Sequence, residues 1–394
     1  MKILLVCPHR NTIELWAPLF QQLAALPDTD VRVLTSHMTP QRRQHLAASG
    51  YYSGDYQLTE IGAIFQKLSE KEHTAPLTFS PAINAVVRQA GAHIVYVVGE
   101  PGYISSWQTM RACRKHTPDA RVCMRQAQNI CRRWPPPFHS IEQYNYRHLA
   151  CVFANGPQQV DVLRCKGYRG RTEMIPLGVD TGVFHKRDAA GLRSELGLEG
   201  RFIVGYVGKL TIAKGIPDLL GAFELMPDRA HLLLIGSGPL ERTVREFAEK
   251  PGIGERVTWI NRVSHTSLPE YFSAMDVMVL PSVRVGSSAV QPGLPIPWME
   301  QFGRVLIEAM ACETMVIGSS SGAIPEVIGE AGIVFDEGDP QDLANKLLMV
   351  IHDEEVRRRC AGKGLQQVRE KYSWCRIARR YVEVFSELMD GARR

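Results

Sequence analysis

Glu300 and Glu308 lie eight positions apart in the stretch Pro297-Trp-Met-Glu-Gln-Phe-Gly-Arg-Val-Leu-Ile-Glu-Ala-Met-Ala311. Leu306, Ala309 and Met310 there have the i, i+3, i+4 spacing of a buried helix face, which predicts a helix starting near Phe302–Gly303. Gly303 lets backbone approach a ligand closely. The first-turn N–H groups of a helix lack intrahelical partners and sit at the positive end of its dipole, a combination that suits a diphosphate. Glu300 falls just before this helix and Glu308 about two turns inside it. They are placed to reach different parts of one ligand, not to pair as acid and base. Each also has an ordinary alternative: a solvated helix face for Glu308, and a charge favoured by the dipole for Glu300.

Two further loops carry the same theme. Val207-Gly-Lys-Leu-Thr-Ile-Ala-Lys-Gly215 follows a predicted strand and puts Lys209 and Lys214 in a loop flanked by Gly208 and Gly215. Two ammonium groups there can neutralise a diphosphate that gains charge as it departs, although two loop lysines are common by chance. Ile235-Gly-Ser-Gly-Pro-Leu240 ends the next strand, and Gly236 and Gly238 around Ser237 leave room for a planar base against the backbone. It is not the G-x-G-x-x-G that opens a helix in dinucleotide-binding folds, so a dehydrogenase is poorly supported.

The elements that must position these residues are short β-branched runs alternating with amphipathic helices. Strands are predicted at Lys2–Cys7, Val31–Ser36, Ile94–Gly99, Arg121–Met124, Cys151–Ala154 and Glu173–Pro176. A second series runs through Phe202–Val207, His231–Ile235, Val257–Trp259, Val277–Leu280, Met315–Gly318 and Gly332–Phe335. Helices are predicted at Gln158–Lys166, Leu240–Glu249 and Asp342–Ile351. Such alternation implies an α/β fold of parallel sheets with helices on both faces. The restart at Phe202 implies two doubly wound domains, 1–180 and 181–373, whose strand ends would face a cleft. Pro-rich pieces at Trp134–Phe138 and Gln291–Pro297 read as loops.

Composition sets the remaining bounds. The 394 residues suit two domains, and 45% hydrophobic with 22% charged content is the balance of a globular chain with a sizeable core. No apolar run approaches the roughly 18 residues of a membrane helix, and Met1–His9 reads as a strand, not a secretory leader. The nine cysteines are irregularly spaced with no C-x-x-C pair, so a disulfide framework or a metal site is not expected and reduced thiols in a cytoplasmic protein are. The net charge of +5 is uneven: residues 1–180 hold 20 Lys/Arg against 13 Asp/Glu. The excess clusters at Arg111, Arg114, Lys115, Arg121, Arg125, Arg132 and Arg133. An anionic partner such as a phosphorylated acceptor or the inner face of a membrane is one explanation, and solvated helix faces are the other. Nucleic acid is not expected, because no binding motif accompanies the charge.

Taken together, the motifs resemble family 4 glycosyltransferases, the retaining group with the GT-B fold. Their V-G-[RK]-x-x-x-x-K-G, G-x-G-x-x and E-x-F-G-x-x-x-x-E-A-M-A segments occur here in order. So do counterparts of Asn261–Ser282, Gly318–Gly329 and Ile175-Pro-Leu-Gly-Val-Asp180, giving a match dense from about 151 to 374. The resemblance implies transfer of a sugar from a UDP- or GDP-sugar to an acceptor hydroxyl, without a required metal or cofactor. Glu308 would take the ribose hydroxyls, and Glu300 those of the transferred sugar. Phe302, Gly303, Arg304 and Val305 would line the sugar and diphosphate, and Lys209 and Lys214 would grip the diphosphate. Gly208 would belong to the same loop, while Gly236, Ser237, Gly238, Arg262 and Val263 would border the base. A helix from Trp374 would return to the first domain.

Three departures stand out. Lys209 replaces a frequent Arg, Cys7-Pro-His-Arg-Asn11 replaces a glycine-rich loop, and Gly99-Glu-Pro101 and Met124–Asn129 stand where a His is frequent. His9, Arg125, Gln126 and Asn129 are the acceptor-side candidates. Acceptor choice is expected in the first domain and in Val283–Trp298, and Trp134–Phe138 beside Arg132 and Arg133 is either a contact for a lipid-linked acceptor or a packed loop. A sugar-nucleotide epimerase or hydrolase, and a non-catalytic scaffold, are the alternatives.

Overall fold

The computed structural model describes residues 1–52, 54–66, 76–286 and 297–391. The Gln291–Pro297 piece, up to 296, and the middle of Val283–Trp298 lie outside the described residues. The chain forms two compact units, Met1–Pro176 with Trp374–Arg394, and Leu177–Ser373.

The first unit is built on strands β1 (Lys2–Cys7), β2 (Asp30–Ser36), β3 (Gln57–Ile61), β4 (Ala63–Ile64), β5 (Thr78–Phe79), β6 (Ile94–Val97), β7 (Arg121–Gln126), β8 (Cys151–Ala154) and β9 (Thr172–Met174). Seven of them form one sheet in the order β3-β2-β1-β6-β7-β8-β9, while β4 and β5 pair separately. The sheet is parallel throughout, with Leu5 opposite Val33 on one side and Tyr96 on the other. Burial on both faces explains why β1 and β6 read as unbroken apolar runs instead of alternating. The helix Trp374–Asp390 belongs to this unit because Trp374, Ile377, Ala378, Tyr381, Val384 and Phe385 fall on one stripe and are buried. Trp374 meets Trp16, and Tyr381 packs on Tyr96 and Phe153 with ring centroids 5.2 and 4.8 Å apart. Each fully buried aromatic of this kind contributes about 3 kcal/mol of burial free energy.

The second unit carries β10 (Phe202–Val207), β11 (Ala230–Ile235), β12 (Val257–Ile260), β13 (Val277–Leu280), β14 (Met315–Ser319) and β15 (Gly332–Phe335). Their order is β12-β11-β10-β13-β14-β15, all parallel, with Tyr206 opposite Leu234 and Val279 opposite Ile317. One polar residue interrupts the buried run of β11. His231 is 6% exposed and shares a 2.8 Å hydrogen bond with the Thr258 hydroxyl on β12. Burial, reinforced by Arg201 and Arg256, pulls its imidazole down to about 4, so it is neutral at pH 7.

In each sheet the chain starts centrally, winds one way, then crosses to the other side. The reversal falls between β1 and β6 in the first unit and between β10 and β13 in the second. Loops leaving the carboxyl ends of the strands diverge there and leave a crevice, the place where open α/β sheets bind ligands.

One cysteine expectation is corrected. Cys131 and Cys165 form a disulfide, with Cα atoms 6.4 Å apart across 34 positions of sequence. Cys131 follows β7 and Cys165 ends the helix after β8, and these strands are neighbours in the sheet. Only the tertiary crossover brings the two thiols together, so linear spacing carries no trace of the pair. The other seven cysteines are free, six of them buried and Cys375 exposed.

Candidate functional site

At the reversal in the second unit, the loop after β10 ends in a 3-10 turn, Ile212–Lys214, in which the Thr211 hydroxyl accepts the Lys214 N–H at 3.2 Å. The Val283 N–H donates to Ala213 O at 3.0 Å, tying this turn to the segment that leaves β13. The Lys214 ammonium is thereby aimed at Glu300, with Nζ 2.5 Å from Oε2, and the Ser282 hydroxyl donates to the same oxygen at 2.9 Å. Glu300 is 7% exposed, and its main-chain oxygen accepts the Ala323 N–H at 3.0 Å. A buried carboxylate held by an ammonium and a hydroxyl is a preorganised polar group. The Trp298 ring centroid lies 4.8 Å from Lys214 Nζ. Sequence reasoning quoted Ser282 without a role and used Trp298 only as the end of the Val283–Trp298 stretch expected to govern acceptor choice. Tyr206 sits under the loop, its hydroxyl donating to Lys209 O at 2.7 Å; burial, then the Glu300 charge, raises its phenol.

The helix predicted near Phe302–Gly303 spans Arg304–Ala311. Gly303 precedes it at φ 80°, a left-handed conformation that glycine adopts without strain, and as the N-cap residue it offers no capping side chain. Among the described residues no hydrogen bond occupies the opening N–H groups of Arg304 and Val305, an arrangement that suits an anion. Phe302 is buried against Tyr372 with centroids 5.8 Å apart. With the helix beginning at Arg304, Glu308 is its fifth residue, just over one turn inside instead of two. The solvated-face alternative fails for Glu308, which is 5% exposed. Arg304 Nε reaches its Oε1 at 3.0 Å and His265 Nε2 lies 3.6 Å away. His265 is a further residue that sequence reasoning quoted without a role; its ring edge meets Phe184 at 4.8 Å.

The glycine-bearing loop after β11 packs directly on the loop after β10. The Leu210 N–H donates to Ser237 O at 3.0 Å, and the Trp259 indole N–H donates to Gly236 O at 2.9 Å. A Cβ at Gly236 would lie 1.8 Å from Gly208 O, so the contact between the two loops depends on glycine there. The Gly238 N–H is taken by Glu241 at 3.1 Å. Arg262 is exposed and Val263 half-buried on the segment that leaves β12. Lys209 is exposed and makes no ion pair among the described residues, so Lys214 alone of the two lysines is brought onto Glu300.

In the first unit the basic cluster divides. Arg125 ends up near the strand carboxyl ends, donating to Asn155 Oδ1 at 3.2 and 2.9 Å and stacking on Trp16 at 4.7 Å. Arg114 bonds the Tyr144 hydroxyl, and Arg132 stacks on Trp134. Gln126 is fully buried and braces its own loop through Gln128 O at 3.0 Å, while Asn129 donates to Gln158 at 3.0 Å. The His9 ring meets the edge of Tyr103 at 5.6 Å. Glu100, noted in sequence only as part of Gly99-Glu-Pro101, accepts the N–H groups of Ala127 and Gln128 at 2.7 and 3.0 Å. Burial raises its carboxyl against the lowering pull of Lys166, these two N–H groups and Arg125. It staples the ends of β6 and β7 together.

Residues 190–367 match the family described as glycosyl transferases group 1. This match covers less than half of the chain and falls within the stretch whose motifs resemble family 4 glycosyltransferases. Among curated relatives, the N-acetyl-alpha-D-glucosaminyl L-malate synthase of Bacillus anthracis is 28% identical over 216 residues, 54% of this chain and 52% of that one. The capsular polysaccharide biosynthesis glycosyltransferase CapM of Staphylococcus aureus is 30% identical over 187 residues, 45% of this chain and 43% of its own. A GDP-mannose-dependent monoacylated alpha-(1-6)-phosphatidylinositol monomannoside mannosyltransferase of Corynebacterium glutamicum is 28% identical, covering 59% and 58%. The chain spans about half the length of the curated relatives it matches. Among solved structures, Anabaena Alr3699/HepE in complex with UDP superposes with a TM-score of 0.75 at 18% identity, covering 98% of this chain and all of that one. Sucrose-phosphate synthase from Thermosynechococcus elongatus gives 0.74 at 22% identity over 99% and 100%. These likenesses establish two Rossmann-like halves of the GT-B type. No helix among the described residues is long and apolar enough to cross a membrane, and no group of metal-ligating side chains occurs among them.

Proposed function

We propose that the protein is a retaining glycosyltransferase that moves a sugar from a UDP- or GDP-sugar to an acceptor hydroxyl. The observation that carries this is the Lys214–Glu300–Ser282 cluster at the reversal of the second sheet, within a segment of group 1 family sequence. In this reading Glu308 receives the ribose hydroxyls, displacing Arg304, and the open N–H groups after Gly303 receive the diphosphate. Glu300 orients hydroxyls of the transferred sugar. Gly208, Gly236, Ser237, Gly238, Arg262 and Val263 border the nucleotide.

Lys214, with Lys209 in support, and the helix start stabilise the charge that develops as the glycosidic C–O bond to the diphosphate breaks. The acceptor oxygen attacks from the same face, and its proton passes to a departing phosphate oxygen, so no enzymatic base or metal is required. Catalysis is then positioning and electrostatics. The two-carboxylate logic of glycoside hydrolases does not apply, since both glutamates bind. The first unit, Met1–Pro176 with the returning helix, takes the acceptor at its strand carboxyl ends, where Arg125 stands near Glu100 and where His9, Gln126 and Asn129 are the further candidates. The basic excess of that unit supports a phosphorylated or lipid-linked acceptor, and a cytoplasmic enzyme working at the inner membrane face.

The test is a thermal-stabilisation screen of UDP- and GDP-sugars, followed by donor turnover with and without candidate acceptor alcohols. Stabilisation by one donor and nucleotide release that depends on acceptor support the reading. Donor consumption without any acceptor points to the hydrolase or epimerase instead.

A further inference from the structure

Trp298 is held at its backbone by Val285. Its N–H donates to Val285 O at 3.1 Å and its carbonyl accepts the Val285 N–H at 2.9 Å, a reciprocal bridge that sets where the indole begins. The indole face is turned to the Lys214 ammonium, 4.8 Å from the ring centroid. The same ammonium is 2.5 Å from Glu300 Oε2. Indole and carboxylate therefore flank one cation from two sides, and that cation stands next to the group assigned to the hydroxyls of the transferred sugar.

The face of an indole carries negative quadrupole charge and attracts any positively polarised partner. An ammonium is one such partner. The C–H face of a pyranose, polarised by the ring oxygen and hydroxyls, is another of the same sign. Glu300 likewise has two suitable partners, an ammonium or a pair of sugar hydroxyls. A diphosphate is the stronger attractor for Lys214, because it bears more negative charge than the single Glu300 carboxylate and no indole can match either.

We infer that Trp298 is the platform for the transferred sugar, and that Lys214 covers it, as a stand-in for the sugar, until a donor diphosphate draws the ammonium away. Donor binding is then an exchange of partners. Lys214 leaves Trp298 and Glu300 for the diphosphate, and the sugar takes the aromatic face and the carboxylate that Lys214 vacates. A nucleoside diphosphate lacking sugar draws Lys214 off without replacing it on the indole, so Trp298 favours the sugar-bearing donor over its own product. Trp298 is a specificity residue, and it acts on Lys214 as a positioning residue.

This inference rests on the donor site proposed above, and the experiment separates the two. The parent, Trp298→Phe and Trp298→Leu are titrated calorimetrically with UDP, GDP and the UDP- or GDP-sugar that stabilises the parent. The leucine variant is expected to bind the sugar-bearing donor roughly ten-fold more weakly, while its affinity for the bare diphosphate stays within about three-fold of the parent or improves as Lys214 is released. The phenylalanine variant, which keeps a π-face, retains most of the parent's preference. Equal losses for both ligands in Trp298→Leu, or no loss for either, overturn the platform and leave the donor site intact. A parent that binds none of the nucleotides overturns the donor site itself.

Discussion

Replacing Lys214 with alanine is the sharpest perturbation of the proposed chemistry. The ammonium lies 2.5 Å from Glu300 Oε2, and the two side chains are 24% and 9% exposed, so the pair is largely shielded from solvent. At about 4 Å from a diphosphate charge, an effective dielectric near 20 puts the direct attraction at roughly 4 kcal/mol. Removing one donor from a preorganised anion-stabilising site costs roughly 2.7–4 kcal/mol, or 100- to 1,000-fold in kcat. The structural cost runs alongside: Glu300 keeps the Ser282 hydroxyl at 2.9 Å but loses its cation. Stability is expected to fall by about 1–3 kcal/mol, below the cost for a fully buried pair because Lys214 is partly exposed. Initial rates at saturating donor measure the first effect, and urea unfolding measures the second. Lys214→Arg restores charge but not the compact geometry and is expected to recover only part of the rate. A Lys214→Ala variant that folds and turns over donor at the parent's kcat refutes the leaving-group role.

Other outcomes follow from the same structure. Glu308→Gln removes the charge shared with Arg304 and His265 and is expected to weaken nucleotide binding by roughly 1.5–3 kcal/mol, read by calorimetry. His231, held down at about 4 by burial and two arginines, binds fewer protons folded than unfolded below its ordinary value of 6.5. Its contribution is complete above pH 6.5 and is lost as pH falls toward 4, by at most about 1.4 kcal/mol per unit; urea unfolding at pH 7.5 and 5 should show the loss, and His231→Phe should flatten it. Thiol titration of the unfolded, unreduced chain should find seven free cysteines, with Cys131 and Cys165 peptides linked in a non-reducing digest. Replacing both by serine is expected to cost about 2–4 kcal/mol, since their bond closes a loop of 34 residues.

Much of the fold was legible because parallel strands buried on both faces announce themselves as continuous apolar runs. Lys2–Cys7, Cys151–Ala154, Phe202–Val207, Val277–Leu280 and Gly332–Phe335 fall on the strands as read. Gln57–Ile61 escaped notice because it is the edge strand of its sheet and carries Gln57, Thr59 and Glu60. The β4–β5 pair is two residues a side, too short for any period to register.

The donor-side candidates were legible for a different reason. Glu300, Gly303 and Glu308 share one stretch whose helical period fixes their relative placement. What linear spacing could not supply was contact across elements. Lys214 meets Glu300 only because β10 and β13 are neighbours in the sheet, although 86 positions separate the two residues. Trp298 and His265 acquire roles through the same kind of long-range approach, and so does the Cys131–Cys165 bond. Glu100 was overlooked because a carboxylate that staples two backbone N–H groups has no sequence signature beyond its burial.

The most direct measurement is a crystal structure of the protein with the nucleotide-sugar that stabilises it. The diphosphate should lie against the N–H groups after Gly303 with Lys214 in hydrogen-bond reach, the ribose on Glu308, and the sugar hydroxyls on Glu300. A nucleotide bound elsewhere, with Lys214 still paired to Glu300, would contradict the account.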